Sequence, residues 1–333
     1  MLTNKKLNQA ADALADRFVS NMAADLQGTD WIPEGALEPV QVEESAEAEI
    51  KPNQTLWEQF WSIFKHNKLA LISLIIIIAF VVICVGAPVF APHDPFEQDL
   101  LQSLKGPSAQ HLLGCDKFGR DILSRMIYGG RVSLAIGLLP TIVSMFLGTV
   151  LGLIAGFVGG WVDSVIMRVA DVVMAFPSIL MAMVISYTIG NGILTIFVAL
   201  SFVSWAGTAR VIRSEVLSLR EKEYVEAATS IGVKKSIIMF RHILPNCVPT
   251  LIVLLTGHIP GNILSESSLS FLGVGAQPPS TSWGLMVFQM KAYLQINPVG
   301  TLAPGVVILI LVVAFNFLGD AIRDKLDPRL QEQ

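Results

Sequence analysis

Leu69-Ala70-Leu71-Ile72-Ser73-Leu74-Ile75-Ile76-Ile77-Ile78-Ala79-Phe80-Val81-Val82-Ile83-Cys84-Val85-Gly86-Ala87-Pro88-Val89-Phe90 decides the fold. These twenty-two residues carry no charge and are bounded by Lys68 and by Pro92-His93-Asp94. A helix of about 20 apolar residues crosses the roughly 30 Å hydrocarbon core of a bilayer, and few other structures need so long an uncharged run. Composition agrees. Of 333 residues, 53% are apolar and 15% charged, against about 45–50% and about 25% in soluble domains. The mean hydropathy is +0.60.

Working outward, five further apolar runs qualify: Val132 to Val158, Val172 to Ile189, Ile193 to about Thr208, Val248 to about Leu264, and Pro304 to Leu318. The expected fold is an all-α membrane protein with six transmembrane helices. Gly190-Asn191-Gly192 alone joins the third and fourth runs, and its turn chemistry fits a tight hairpin at the membrane surface. Lys and Arg set the orientation. With the N-terminus inside, 17 fall on the inner side and 6 on the outer, so both termini are expected in the cytoplasm.

Residues 1–54 read as an acidic cytoplasmic tail. The first fifty hold ten acidic residues and three basic ones, and Leu7, Ala11, Leu14, Phe18 and Met22 mark one short amphipathic helix. Residues 55–333 form the transmembrane domain. At its start, Leu56, Trp57, Phe60, Trp61 and Phe64 share a helix face. They suit either an interfacial helix or a continuous start of the first span. In the second span, Gly148, Gly152, Gly156 and Gly160 recur every fourth residue and leave one face bare, for close helix packing or for a hinge. Pro140, Pro177 and Pro249 fit kinks or helix starts.

Several chemistries are excluded. Cys84, Cys115 and Cys247 form no disulfide framework or zinc spacing, and the five histidines are scattered without a paired ligand pattern. Gly114 to Asp121 imitates a phosphate-binding loop, but Arg120 and Asp121 stand where Lys and Ser or Thr are needed. Ser265-Glu266-Ser267-Ser268 has no histidine in a catalytic arrangement, so the chain is expected to be non-catalytic. Neither the tail nor the remainder has the charge pattern of a nucleic-acid binder. A continuous apolar segment is missing from the first thirty residues, so no cleaved signal peptide is expected.

The stretch from about 209 to 247 is a long inner loop. Glu223 and Glu226 favour the first turn of a helix, Ala227 and Ala228 keep a face small, Gly232 supplies a left-handed stop, and Leu244-Pro245 ends the next helical stretch and launches the fifth span. Such a helix serves as a docking element or as a plain surface helix. Glu226-Ala227-Ala228, Gly232 and Leu244-Pro245 together resemble the EAA loop of permease subunits in binding-protein-dependent ABC importers. His111-Leu112-Leu113-Gly114 with Asp116, Gly119-Arg120-Asp121 and Ser124-Arg125 is similar to the C-type permease of dipeptide, oligopeptide and nickel importers. So are Leu264 to Gly273 and Gly319-Asp320-Ala321 through Leu326-Asp327-Pro328-Arg329.

That resemblance implies a type I ABC importer permease fold in the cytoplasmic (inner) membrane, and half of a translocation pathway for di- or oligopeptides. It further implies a second homologous permease as partner, two cytoplasmic ATPases on the EAA loop, and an extracytoplasmic solute-binding protein. Glu223, Glu226, Ala227, Ala228, Gly232, Leu244 and Pro245 would then couple to the ATPases. ATP and Mg would lie in those partners, with no cofactor in this chain. The competing reading is an ion-coupled secondary transporter or channel subunit, for which Asp163, Arg168, Asp171, His258 and Glu266 are the ionisable residues near spans.

Overall fold

A computed structural model describes Phe64 and residues 67–326. The acidic tail with its amphipathic helix, and nearly all of the expected interfacial helix, lie outside the described residues. Among the described residues, nine helices of eight residues or more carry the architecture: α1 (Lys68–Val85), α2 (Ile122–Val158), α3 (Gly160–Ala175), α4 (Ser178–Ile189), α5 (Ile193–Arg220), α6 (Glu223–Ser230), α7 (Leu244–Phe271), α8 (Trp283–Met290) and α9 (Val299–Leu326).

Asn67 caps α1, its side chain accepting from the backbone N–H groups of Leu69 and Ala70. The uniformly apolar sequence cannot say which stripe of this helix packs. Ala70, Ser73, Ile77 and Cys84 are buried, while Leu69, Ile72, Ile75 and Val82 are more than half exposed. That buried stripe meets neighbouring helices, and the exposed large residues are left for lipid. α1 stops at Gly86 rather than running on to Phe90, because Pro88 cannot continue the hydrogen-bond ladder and begins a separate turn, Ala87–Phe90. Arg131 on α2 donates to the carbonyls of Cys84 (2.8 Å) and Val85 (2.5 Å), satisfying the end of α1.

α2 begins ten residues earlier than the expected Val132. Asp121 caps it by accepting from the Ser124 N–H at 2.7 Å. Arg125 and Arg131 interrupt the apolar pattern there, and only tertiary contacts let Arg125 sit almost fully buried on the helix. The 37 residues of α2 span about 55 Å, so its first turns project beyond the hydrocarbon core.

The expected span from Val172 to Ile189 is broken at Pro177, one of the prolines expected to kink or start a helix. Phe176 is extended before Pro177, as the residue preceding a proline tends to be, and α3 and α4 meet at 89°. α3 lies beside the second half of α5, with Ala170 and Val173 packed near Trp205, Ala206 and Ala209. α4 lies beside the first half, with Ala182 near Ile196, Ala199 and Leu200. The bent pair thus covers the depth that α5 covers alone and counts as one broken crossing. With the five unbroken spans among the described residues it brings the candidate crossings, by length and composition, to six.

Glycine conformation closes the α4–α5 turn: Gly190 and Gly192 have φ of 113° and 153°, a region open chiefly to glycine. α5 then continues to Arg220, so residues 209–220, expected in the inner loop, are its last three turns.

The seam between α2 and α5 is the most extensive helix contact among the described residues. A Cβ on Gly148 would lie 2.7 Å from the Trp205 carbonyl, one on Gly152 2.5 Å from the Ala209 carbonyl, and one on Gly156 2.9 Å from the Arg213 carbonyl. Backbone occupies the space, so those positions require glycine. Gly160 does not share the face. It starts α3 at φ 60° with open space around it, because the helix breaks at Gly159 before the fourth repeat.

Candidate functional site

α2, α5, α7 and α9 all run between two ends of the bundle. At one end lies α6; at the other, residues 91–121 and 272–298 cover the helix termini. The Asn297 side-chain amide ties those two segments together by donating to the carbonyls of Lys105 (3.2 Å) and Cys115 (3.1 Å). The described ends of the chain, at the start of α1 and the end of α9, both lie at the α6 end.

α6 is short, and tertiary contacts hold it. Glu223 and Glu226 in its first turn complement the positive end of the helix dipole. Val225 and Ala228 point inward, into an apolar cluster with Leu153 of α2, Ile212 and Val216 of α5, and Ile238, Ile243 and Cys247. Its end is a Schellman motif: Val233 N–H donates to the Ala228 carbonyl at 3.1 Å and Gly232 N–H to the Thr229 carbonyl at 3.0 Å, with Gly232 at φ 78°. Glu223, Tyr224, Glu226 and Ala227 remain exposed. Successive helical residues are about 100° apart, so the two alanines do not share a face: Ala228 seats the helix and Ala227 is presented outward.

Leu244-Pro245 does not end the preceding helical stretch. Lys235–Ile237, a π-helical turn over Ile238–Ile243 and α7 follow one another without a break, giving a helical rod from Lys235 to Phe271. A proline lacks the N–H for the i−4 bond and its ring crowds that carbonyl; the wider π turn just before Pro245 absorbs this misfit. Leu244 is half-buried and Pro245 exposed, at the foot of that rod.

Charge is buried at the opposite end. Asp116 accepts from the Phe118 N–H (2.8 Å), the Arg120 N–H (3.1 Å) and the Arg120 side chain (2.7 Å), and it pairs closely with Arg125. Arg125 also donates to the Gln289 amide oxygen of α8 at 3.0 Å. Glycine is required within this turn, since a Cβ on Gly119 would lie 1.7 Å from the Asp99 carbonyl. The segment that mimics a phosphate loop is therefore a self-satisfied ion network. Cys115 lies beside it, and burial first, then Asp121, Asp116 and Asp99, push its thiol up to about 11.

A second buried node sits on α7. Glu266, fully buried, accepts from Ser270 and Ser282, both at 2.7 Å, and the Trp283 N–H donates to Ser133 at 3.1 Å beside it. Sequence reading missed Gln289, Ser282 and the whole of α8. Its signal was Ser282 ahead of the apolar Trp283-Gly284-Leu285-Met286: the Ser282 side chain caps α8 by accepting from the Leu285 N–H.

Six crossings, a glycine-packed seam and an exposed helix seated at one end define a multi-pass helical membrane domain. Residues 148–332 match the family described as binding-protein-dependent transport system inner membrane component. Residues 55–107 match the N-terminal TM domain of oligopeptide transport permease C. The chain is 40% identical over 287 residues to the glutathione transport system permease protein GsiD of Escherichia coli O6:K15:H31 (strain 536), covering 85% of this chain and 94% of that protein. The same figures hold for the protein of that name from Shigella boydii serotype 4 (strain Sb227). An inward-facing structure of the MetNI methionine ABC transporter aligns at 21% identity and a TM-score of 0.48, over 62% of this chain and 96% of that one. The chain belongs to the binding-protein-dependent transport system inner membrane components. It is a permease subunit of an ABC importer, which displaces the reading as an ion-coupled transporter or channel.

Proposed function

We propose that this permease forms half of a pathway for short peptides of the glutathione class, with α6 as the element through which two cytoplasmic ATPases drive it. A second, homologous permease completes the pathway, and an extracytoplasmic binding protein delivers the solute. ATP and Mg²⁺ belong to the ATPases, and hydrolysis occurs there. Both termini and α6 face the cytoplasm, in keeping with the distribution of Lys and Arg.

The observation that carries the coupling reading is the split character of α6. Val225 and Ala228 anchor it to α2, α5 and the foot of α7, while Glu223, Glu226 and Ala227 are offered outward. A load applied to the exposed edge reaches three membrane-crossing helices through packed side chains, as rigid-body coupling requires. The solute reading rests on the name of the relatives that share 40% identity. Reconstitution of the whole importer in proteoliposomes tests both. Labelled glutathione should accumulate only with the binding protein outside and ATP at the ATPases. Uptake that persists without ATP and follows an imposed ion gradient would overturn the coupling reading, and ATP-dependent uptake of another solute in preference to peptides would overturn the solute reading.

A further inference from the structure

We infer that His93, His111 and Asp121 form a binding site for a divalent transition-metal ion of the Zn²⁺ type, at the end of the bundle opposite α6. Each residue offers one ligand atom, and the three atoms lie within 4.8 Å of one another. His111 Nδ1 is 2.9 Å and His93 Nδ1 3.8 Å from the same Asp121 oxygen, and the imidazole centroids are 4.6 Å apart. Ligand atoms about 2.0–2.1 Å from a tetrahedral ion are separated by roughly 3.3 Å, so a small inward movement of His93 completes three corners. The fourth stays open to solvent.

Two observations favour an ion over a simple hydrogen-bonded cluster. His93 Nδ1 is buried and makes no hydrogen bond, although a carboxylate oxygen lies just beyond bonding distance. In addition, the three residues line a pocket of about 220 Å³ together with Asp94, Glu97 and Asp99, whose carboxylates favour a cation. That offsets the positive end of α2, which Asp121 already neutralises as its cap. The ligands are also held from behind. The second Asp121 oxygen accepts from the Ser124 N–H at 2.7 Å, and the His93 N–H donates to the Ser124 hydroxyl at 3.0 Å. Such outer contacts orient metal ligands. Two imidazoles and one carboxylate select zinc, nickel or copper over magnesium or calcium. An ion here would tie His93 and His111 to Asp121, the N-cap of α2. The seventeen residues between the two histidines explain why no sequence pattern announces the site.

The test is equilibrium binding of Zn²⁺ alone to the purified full-length permease, against a chromophoric chelator, with thermal melting in parallel. One equivalent should bind and raise the melting temperature. His93→Phe, which keeps the ring volume and leaves the Asp121 cap in place, should weaken binding by more than about ten-fold and abolish the thermal shift. His111→Gln should do the same. X-ray absorption of the bound zinc should report two imidazoles and no sulfur. Absence of stoichiometric binding to the unaltered chain, undiminished binding by both variants, or sulfur ligation would each overturn the site. None of these readouts depends on transport.

Discussion

The two ends of the bundle are held together by different forces. Where residues 91–121 meet α2 and α8, Asp116, Arg120, Arg125 and Gln289 are linked by directional bonds in a buried setting. At the α6 end the contacts are chiefly apolar: Val225 and Ala228 against Leu153, Ile212, Val216, Ile238 and Ile243. A buried ion pair resists displacement, since removing one partner strands the other without water. Apolar contact is non-directional and tolerates small rotations. The difference suits the proposed coupling at the α6 end.

The largest effect should come from breaking the charged end. Asp116→Asn leaves the Arg120 and Arg125 guanidinium groups without their shared carboxylate and should cost about 3–5 kcal/mol, read as a collapse of the folded fraction in detergent melts. Adding Arg125→Met should cost less than the sum of the two single changes, because one of the two stranded cations is gone. A stability loss no greater than that of an exposed substitution such as Glu97→Gln would erase the contrast between the ends.

Smaller and more diagnostic is the pair of alanines on α6. Ala228→Trp overfills the apolar cluster and should destabilise by about 1–3 kcal/mol. Ala227→Trp points outward and should leave the melting curve almost unchanged while lowering ATPase association and uptake together. Equal stability losses would mean that both alanines face inward; an unaltered ATPase association in Ala227→Trp would remove α6 from the docking surface.

The smallest effect concerns Cys115. With its thiol raised to about 11 by burial and nearby carboxylates, only about one molecule in a thousand carries a thiolate at pH 8, so alkylation should be slow. The folded state holds this proton more tightly than the unfolded chain. Its contribution to stability is therefore complete below about pH 9 and lost as the pH rises toward 11. Peptide mapping after maleimide treatment checks the first expectation: modification as fast as that of a cysteine placed at exposed Glu97 would contradict the buried setting.

Uncharged length determined the membrane class from the sequence alone, since a run such as Leu69 to Val85 has few alternatives to a bilayer. The helix start at Glu223 and Glu226 and its stop at Gly232 were legible, as was the need for glycine at 148, 152 and 156, because local spacing encodes a helix face and a stop; Leu244-Pro245 was not, because the π turn before it lets the helix run on. Element ends were not. Arg125 looked like a loop residue until Asp116 and Gln289, from elsewhere in the chain, neutralised it on a helix. Val172 to Ile189 is apolar on both sides of Pro177, so hydropathy could not register the 89° turn between α3 and α4. The opposed roles of Ala227 and Ala228 and the convergence of His93, His111 and Asp121 were likewise decided only by folding. Each depends on which surfaces the packed helices bring together, and contact between residues distant in sequence leaves no periodic trace along the chain.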